Sequence, residues 1–302
     1  MELSIVIPSF NEEGNIALLY SQIKEAMGKM DYECIFVDDG SNDQTYKEIK
    51  KLAIVDTRVH GISFSRNFGH QIALTAGLQS AKGDLVVMMD ADGQHPPKVI
   101  MELIEEHKKG YDIVNTQRLD TADAGAAKKL SSKWYYKVLN MLSDVRIEPA
   151  SSDFRLMTRK AVNAFLEFEE KERFTRGLVS WMGFRQSIIQ YNAPERMSGE
   201  SKYTFGKMLR FAFVGITSFS SRPLKFSIYA GILALIFGFL YSIYIVVMYV
   251  QGNTITGWAS MMMVILFLGG IQLLSLGIIG EYIAGIFNES KKRPLYFIKD
   301  QC

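Results

Sequence analysis

Polar clusters follow short apolar runs at three points of the sequence, and they hold the residues best suited to chemistry. They are PSFNEE at residues 8–13, DDGS at 38–41 and DADGQ at 90–94. Asp90 and Asp92 are two residues apart, with Gln94 two further on, so an extended backbone presents their oxygens to one side. Oxygen ligands of this kind suit a hard divalent cation, Mg²⁺ or Mn²⁺. The alternative for each cluster is a simple turn or helix cap, for which DDGS is also well suited.

The elements around these clusters alternate between buried strands and amphipathic helices. The pattern predicts strands at 3–7, 33–37, 60–64, 85–89 and 112–116, and helices at 15–27, 45–52, 71–79 and 98–107. Such alternation predicts a mostly parallel sheet with helices on its faces. Ligands of these sheets bind beyond the carboxyl ends of the strands, so we expect the three clusters to converge on one cleft.

A second region, near the end of the sequence, is strongly apolar. No Asp, Glu, Lys, Arg or His lies between Lys225 and Glu281. Two runs within this region, about 226–250 and 258–280, each exceed the roughly 20 apolar residues that span a bilayer. Buried helices of a soluble domain are the alternative, but they are seldom free of charge for so long. The sequence therefore predicts a two-helix transmembrane hairpin.

The charges that flank the hairpin predict its orientation. Basic residues precede it at Lys207, Arg210, Arg222 and Lys225, and follow it at Lys291, Lys292 and Arg293, whereas the connection QGNTITG has no charge. Both ends are therefore expected in the cytoplasm. No signal peptide is expected at MELSIVIPSFNEE. We predict a cytosolic domain at 1–200, an amphipathic interface segment at 201–223, the hairpin at 224–288 and a cytosolic tail at 289–302; a core-facing helix is the alternative for the interface segment.

Composition excludes several classes of protein. The 34 Lys and Arg residues nearly balance 32 Asp and Glu residues, which argues against a nucleic-acid-binding protein. The two cysteines, Cys34 and Cys302, are too few for a disulfide framework or a cysteine-based zinc site.

Six motifs, in this order and followed by two spans, carry a family resemblance: SIVIPSFNEE, FVDDGSND, SRNFGHQIAL, MMDADGQHPP, SSDFRLM and ERMSGESKY. The chain resembles glycosyltransferase family 2, and more narrowly the bacterial polyprenyl-phosphate glycosyltransferases related to dolichol-phosphate mannose synthase. The resemblance implies an A-type glycosyltransferase fold, which is Rossmann-like, ahead of the interface segment and hairpin. It also implies transfer of a hexose from a nucleotide sugar to undecaprenyl phosphate, with inversion, at the cytoplasmic face of the inner membrane.

UDP-glucose is the favoured donor and UDP-N-acetylglucosamine the next, and the product would serve cell-envelope glycosylation. The implied partners are the nucleotide sugar, undecaprenyl phosphate and the lipid bilayer, without nucleic acid; a homo-tetramer is one possible assembly. A processive polysaccharide synthase and a non-catalytic, nucleotide-sugar-binding membrane scaffold are the alternatives. The first would need more spans and a QxxRW-like segment, neither of which the sequence contains.

The resemblance also assigns roles to individual residues. Nucleotide-sugar binding falls to Pro8, Asn11, Glu12, Asp39, Ser41 and Asp90; the metal to Asp92 and Gln94; catalysis to Asp153, Asp92 and Arg155; and acceptor-phosphate binding to Arg118, Arg196, Ser201 and Lys202. A lipid phosphate is already ionised near neutral pH, so we expect Asp153 to position a substrate, with proton abstraction as the alternative. His70 is expected only to cap or pack the SRNFGHQ turn.

The sequence departs from the commonest family pattern, DADLQDPP, at two positions. Gly93 replaces a larger apolar residue and would loosen the loop, and His95 replaces an acid, which leaves one carboxylate fewer near the cation.

Overall fold

The computed structural model describes residues 1–119, 151–171, 173–194, 220–252 and 257–302. The described residues form two units. One contains the residues before 195 together with residues 293–302, and the other contains residues 220–292.

Strands and helices alternate along the first 119 residues. The elements are β1 (Leu3–Ser9), α1 (Ile16–Met27), β2 (Tyr32–Asp38), α2 (Thr45–Val55), β3 (Val59–Phe64), α3 (His70–Ser80), β4 (Leu85–Met88), α4 (Val99–His107) and β5 (Ile113–Leu119). The predicted strands and helices lie within a few residues of these bounds, so the predicted alternation is confirmed.

The rest of the first unit adds strands at both sides of this core. Its elements are β6 (Ser151–Thr158), α5 (Arg159–Leu166), α6 (Thr175–Trp181), β7 (Gln186–Asn192) and β8 (Ile298–Gln301). In the described part of the chain the sheet has the order β7-β5-β6-β4-β1-β2-β3-β8. Strands β4, β1, β2 and β3 are parallel, as are β5 and β7, whereas β6 and β8 run antiparallel to their neighbours.

Strand β6 determines the composition of the site because it lies between β4 and β5 in the opposite direction. Met88, the last residue of β4, pairs with Arg155, the fifth residue of β6, so residues 151–154 lie beyond the end of β4. The first residues of β6 therefore lie at the edge where the parallel strands end. Asp153 reaches the same edge as Asp90 for this reason.

The core lies between the sheet and the helices on its faces. Every residue of β1 and β2 is buried, as expected for central parallel strands. Helix α1 buries Ile16, Leu19 and Ile23, which recur at helical spacing on one face. Helix α3 packs closely on β1, since a Cβ added at Gly77 would lie 2.2 Å from Val6 Cγ1.

Strand β8 forms the edge of the sheet beside β3. Ile62 pairs with Gln301 and Ser63 with Asp300. The tail predicted at 289–302 therefore contains an ordered edge strand, although it lies more than 230 residues after β3 in the sequence.

The second unit contains two long helices, α7 (Arg222–Val250) and α8 (Trp258–Ser290). Leu224–Val250 and Met263–Ser290 are long and apolar enough to cross a membrane, and neither segment is buried within the protein. The Tyr282 hydroxyl donates to the Ser220 carbonyl, 2.6 Å away. Most of the predicted interface segment, 201–219, lies outside the described residues.

Candidate active site

The loops that follow β1 and β2 are joined to each other at the carboxyl edge of the sheet. The Asn11 backbone N–H donates to Ser41 Oγ at 2.9 Å, and Asn11 Oδ1 accepts from the Asn42 N–H at 2.9 Å. The Glu12 N–H donates to Thr45 Oγ1 at 2.8 Å. Asn11 has a φ of 55°, a left-handed conformation that asparagine tolerates better than most residues. Hydrogen bonds thus join the two polar clusters, residues 8–13 and 38–41, with the residues that follow them up to Thr45, into one surface, which we call the wall of the site.

Several residues predicted to bind the nucleotide already have partners in this wall. Pro8 is buried within β1, opposite Val37. Glu12 Oε2 accepts from Asn15 Nδ2 at 2.6 Å, and the Ser41 N–H donates to Asp38 Oδ1 at 3.1 Å. These contacts shape the wall itself.

Asp39 fastens a third loop to the wall. Its carboxylate accepts the backbone N–H groups of Phe68 and Gly69, at 2.7 and 3.0 Å. Burial raises the pKa of Asp39, and the two backbone hydrogen bonds partly oppose that effect. Gly40 allows the close approach, since a Cβ there would lie 2.4 Å from the Arg66 carbonyl carbon.

His95 is buried beneath Asp90 and holds the loop that follows β4. Its Nδ1 accepts the Asp90 backbone N–H at 2.8 Å, so the neutral ring carries its proton on Nε2, which lies 2.9 Å from Ser152 Oγ. The ring also stacks on Phe154, with centroids 4.9 Å apart. His95 therefore holds the backbone of Asp90 in position, a role that the sequence did not indicate.

Asp92 and Gln94 lie in the tight turn above His95. Asp92 Oδ1 accepts the Gln94 N–H at 3.0 Å, and Gln94 Oε1 lies 3.4 Å from Arg118 Nη1. Gly93 has a φ of 79°, which a glycine adopts without strain. Glycine therefore suits the backbone conformation of this turn.

Asp153 is surrounded by donors from three elements. Gln71 Nε2 lies 3.2 Å from its Oδ2, while Arg176 Nε and Arg155 Nη2 lie 3.2 and 3.3 Å from its Oδ1. His70 Nε2 is 3.8 Å from Oδ2. Burial acts to raise the pKa of Asp153, but the charges of Arg176 and Arg155 outweigh it and hold the pKa below its usual range. Asp153 is thus an ionised anchor and a weak base.

Arg155 does not face the cleft. Its side chain is 1% exposed and contacts Asp153 and the Ser152 carbonyl. Arg155 was assigned to catalysis, but so deeply buried a guanidinium acts through Asp153 and not directly on a substrate. Arg176, the other arginine that contacts Asp153, has a side chain that is 29% exposed.

Three side chains of the site were missed or misread in the sequence. His70 does not cap α3; its Nε2 lies 3.4 Å from Asp90 Oδ1. Gln71 accepts from the Thr175 hydroxyl and donates to Asp153, which connects α3 to α6. The only signal for His70 and Gln71 was their place in SRNFGHQIAL, and Arg176 lay in no motif.

Three predicted acceptor residues and the proposed metal complete the set of predicted site features. Arg196, Ser201 and Lys202 lie outside the described residues. Within the described ranges, no cluster of three or more His, Cys, Asp or Glu side chains could hold a metal ion. The buried Oδ1 of Asp90 accepts no hydrogen bond from the described residues, although His70 Nε2 lies 3.4 Å from it.

Two family models match the chain. The first, described as glycosyl transferase family 2, matches residues 4–166, and the second, the GtrB C-terminal hairpin, matches residues 222–286. The second match coincides closely with α7 and α8.

Curated relatives are similar over almost the whole length. The uncharacterized glycosyltransferase YkcC of Bacillus subtilis (strain 168) is 44% identical, with 99% of this chain and 94% of the relative covered. The bactoprenol glucosyl transferase of Shigella phage SfV is 40% identical, with 100% and 99% covered. A prophage bactoprenol glucosyl transferase homolog of Escherichia coli (strain K12) is 39% identical, with 99% of each covered.

Among solved structures, glucosyl-3-phosphoglycerate synthase from Mycobacterium tuberculosis, in complex with Mn²⁺, UDP and glucosyl-3-phosphoglycerate, is 18% identical with a TM-score of 0.49. The similarity covers 72% of this chain and 77% of that one. On the family match and the full-length relatives, this chain belongs to glycosyltransferase family 2 and is a glycosyltransferase with an A-type fold.

Proposed function

We propose that this enzyme transfers glucose from UDP-glucose to undecaprenyl phosphate at the cytoplasmic face of the inner membrane. The observation that carries the proposal is full-length similarity, hairpin included, to enzymes named bactoprenol glucosyl transferase. Bactoprenol is the alcohol of undecaprenyl phosphate. The acidic strand edge suits a nucleotide-sugar donor, and the apolar helices suit a lipid acceptor.

In the proposed reaction, an oxygen of the acceptor phosphate attacks the anomeric carbon of glucose from the face opposite the nucleotide. A new bond from the anomeric carbon to oxygen forms as the bond to the β-phosphate of UDP breaks. This single displacement inverts the anomeric configuration and releases UDP. The acceptor is already an anion, so the reaction needs little help from a general base.

Asp92 and Gln94 are the proposed metal ligands, and Asp90 is proposed to contact the donor sugar. Their oxygens are of the kind that Mg²⁺ and Mn²⁺ prefer. A divalent ion bound there would neutralise the charge that develops on the departing UDP. Gln94 Oε1 also lies beside Arg118, which places a fixed positive charge near the same point.

Asp153 is proposed to position substrates through its neighbours. Its carboxylate holds Arg176, Gln71 and the buried Arg155, and with them α6 and the start of α3. We propose that Arg176 and Arg118 offer positive charge to the acceptor phosphate, together with Arg196, Ser201 and Lys202. Arginine suits this role because its planar fork matches the phosphate oxygens.

The connectivity of the chain supports cytoplasmic placement of both ends of the hairpin. The segment after α8 pairs with β3 in the first unit, to which the segment before α7 also leads. A hairpin that crosses the bilayer twice returns to the side it left. The basic flanks favour the cytoplasm for that side.

A donor panel would test the proposal. The full chain in liposomes that contain undecaprenyl phosphate and Mg²⁺ or Mn²⁺ would be given labelled UDP-glucose, UDP-N-acetylglucosamine or GDP-mannose, and the lipid extract would be examined for sugar. We expect label from UDP-glucose above all. Lipid labelled mainly from another donor would overturn the sugar assignment, and no labelled lipid from any donor would overturn the proposed reaction.

A further inference from the structure

The segment that follows the second apolar helix lies against the loop that Asp39 holds. We call residues 294–302 the returning segment and residues 65–69 the Asp39 loop. The Ser65 N–H donates to the Phe297 carbonyl at 3.0 Å, at the point where β3 leads into the loop. The Asp39 loop is therefore fastened on one side by Asp39 and on the other by the returning segment.

Aromatic side chains form the second part of this contact. The Tyr296 ring stacks on Phe64, with centroids 4.8 Å apart. Phe68, within the loop, packs edge-on against Phe64 at 5.6 Å and lies 6.4 Å from Phe297. The backbone N–H of Phe68 also donates a hydrogen bond to Asp39. Packing of the aromatic rings therefore helps to set the position of this N–H group.

Tyr296 contacts a second element as well. Its hydroxyl donates to Gln79 Oε1 at 2.7 Å, near the end of α3. The start of α3 follows the Asp39 loop and carries His70 and Gln71, which approach Asp90 and Asp153. Tyr296 thus touches both the base of the loop and the far end of the helix that the loop leads into.

We propose that Tyr296 and Phe297 are positioning residues for the nucleotide of the donor, acting through the Asp39 loop. The inference rests on the proposed function, in which the enzyme takes a nucleotide sugar as donor and Asp39 is one of the residues expected to bind it. Packing of the aromatic rings holds the Asp39 loop in position. The loop in turn positions the backbone N–H groups of Phe68 and Gly69, which donate hydrogen bonds to Asp39. The segment that carries Tyr296 and Phe297 follows α8 directly in the sequence and belongs to the first unit.

Kinetics of the full-length enzyme in liposomes would test this inference. Tyr296→Ala should raise the KM for the nucleotide sugar about tenfold, the lower end of the effect of removing a supporting neighbour. The KM for undecaprenyl phosphate and kcat should stay within about twofold, since Tyr296 contacts Phe64 and Gln79, at the base of the Asp39 loop and the far end of α3. Tyr296→Phe keeps the ring and should restore most of the donor KM. Lys299→Ala, at an exposed residue of the same returning segment, is the matched control.

Two further measurements separate positioning from simple stabilisation. Phe297 is 58% exposed, so Phe297→Ala should fold even if Tyr296→Ala does not, and it should raise the donor KM about threefold. Calorimetry with UDP alone should show the same losses of affinity. A lower Tm with unchanged donor KM and UDP affinity, or equal rises in both KM values, would overturn the inference.

The inference and the proposed function can fail separately. UDP binding weakened by Tyr296→Ala, in an enzyme that labels no lipid, would support the positioning role and overturn the proposed acceptor. Equal UDP binding by wild type and Tyr296→Ala, with lipid labelling intact, would overturn the positioning role alone. No binding of UDP by the wild type would overturn both.

Discussion

At the scale of single residues, the donors around Asp153 decide what its carboxylate can do. A general base works best with a pKa near the operating pH, yet Arg176 and Arg155 hold the pKa of Asp153 below its usual range. The ionised carboxylate of Asp153 therefore accepts hydrogen bonds from neighbouring side chains and is poorly suited to take up a proton. This favours the positioning role over proton abstraction, the two alternatives that the sequence left open.

Replacement of Asp153 by asparagine should lower kcat/KM about 10–100-fold, as expected for loss of a group that orients others. The pH profile distinguishes this role from that of a base. Asp153 is ionised well below the unfolded value of about 3.9, so it contributes no acid limb between pH 5 and 8. Any limb near pH 6 should come from the acceptor phosphate and should persist in Asp153→Asn.

The same depressed pKa predicts how folding stability depends on pH. The ionised carboxylate stabilises the fold at pH values above about 3.9, and this contribution is lost as the pH falls toward the lower pKa of the folded state.

For the catalytic role of Asp153, a kcat/KM profile whose acid limb vanishes in Asp153→Asn would contradict the positioning role and favour a general base.

At the scale of elements, the parallel strands could be predicted as short apolar runs because they are buried on both faces, and the helices because each buries one recurrent apolar face. Asp90 and Asp92 could be placed at the ligand edge for the same reason. The position of Asp153 could not, because it depends on β6 lying antiparallel between β4 and β5, a long-range pairing. Likewise, nothing local marks Ile298–Gln301 as the partner of β3, and Arg176 enters the site only through tertiary packing of α6.

The contact between α3 and β1 gives a test of this packing. A methyl group at Gly77 would lie 2.2 Å from Val6 Cγ1, so Gly77→Ala should destabilise the first unit by about 1–3 kcal/mol. At roughly 2–4 °C per kcal/mol, thermal unfolding should show a clear fall in Tm.

The matched control is Gly14→Ala, since a methyl group there meets no atom within 4 Å. Its Tm should equal that of the wild type within about 2 °C. Equal Tm values for the Gly77 variant and the wild type would show that α3 does not pack on β1 as described.

At the scale of the whole molecule, the chain leaves the first unit, forms two apolar helices and returns to the edge of the same sheet. The sequence predicted the two apolar helices, and from the basic residues on either side of them it predicted their orientation. It did not predict that the last residues belong to the catalytic sheet.

The two cysteines provide a test of the proposed side. Cys302 is exposed, whereas Cys34 is fully buried and burial raises the pKa of its thiol, which makes it unreactive. A membrane-impermeant maleimide should therefore label the protein once, in inverted membrane vesicles and not in intact cells. Cys302→Ser should abolish the labelling. Labelling of intact cells would contradict the cytoplasmic placement.

The central claim, metal-assisted glucosyl transfer to a lipid phosphate, is tested most directly by the mass of the lipid product. Purified full-length enzyme in liposomes would receive UDP-[¹³C]glucose, undecaprenyl phosphate and Mn²⁺, beside Asp92→Asn and the control Asp84→Asn, an exposed residue at the opposite end of β4. We expect labelled undecaprenyl phosphate glucose from the wild type and the control, and at least about a hundredfold less from Asp92→Asn. No labelled lipid from the wild type, or as much from Asp92→Asn, would contradict the account.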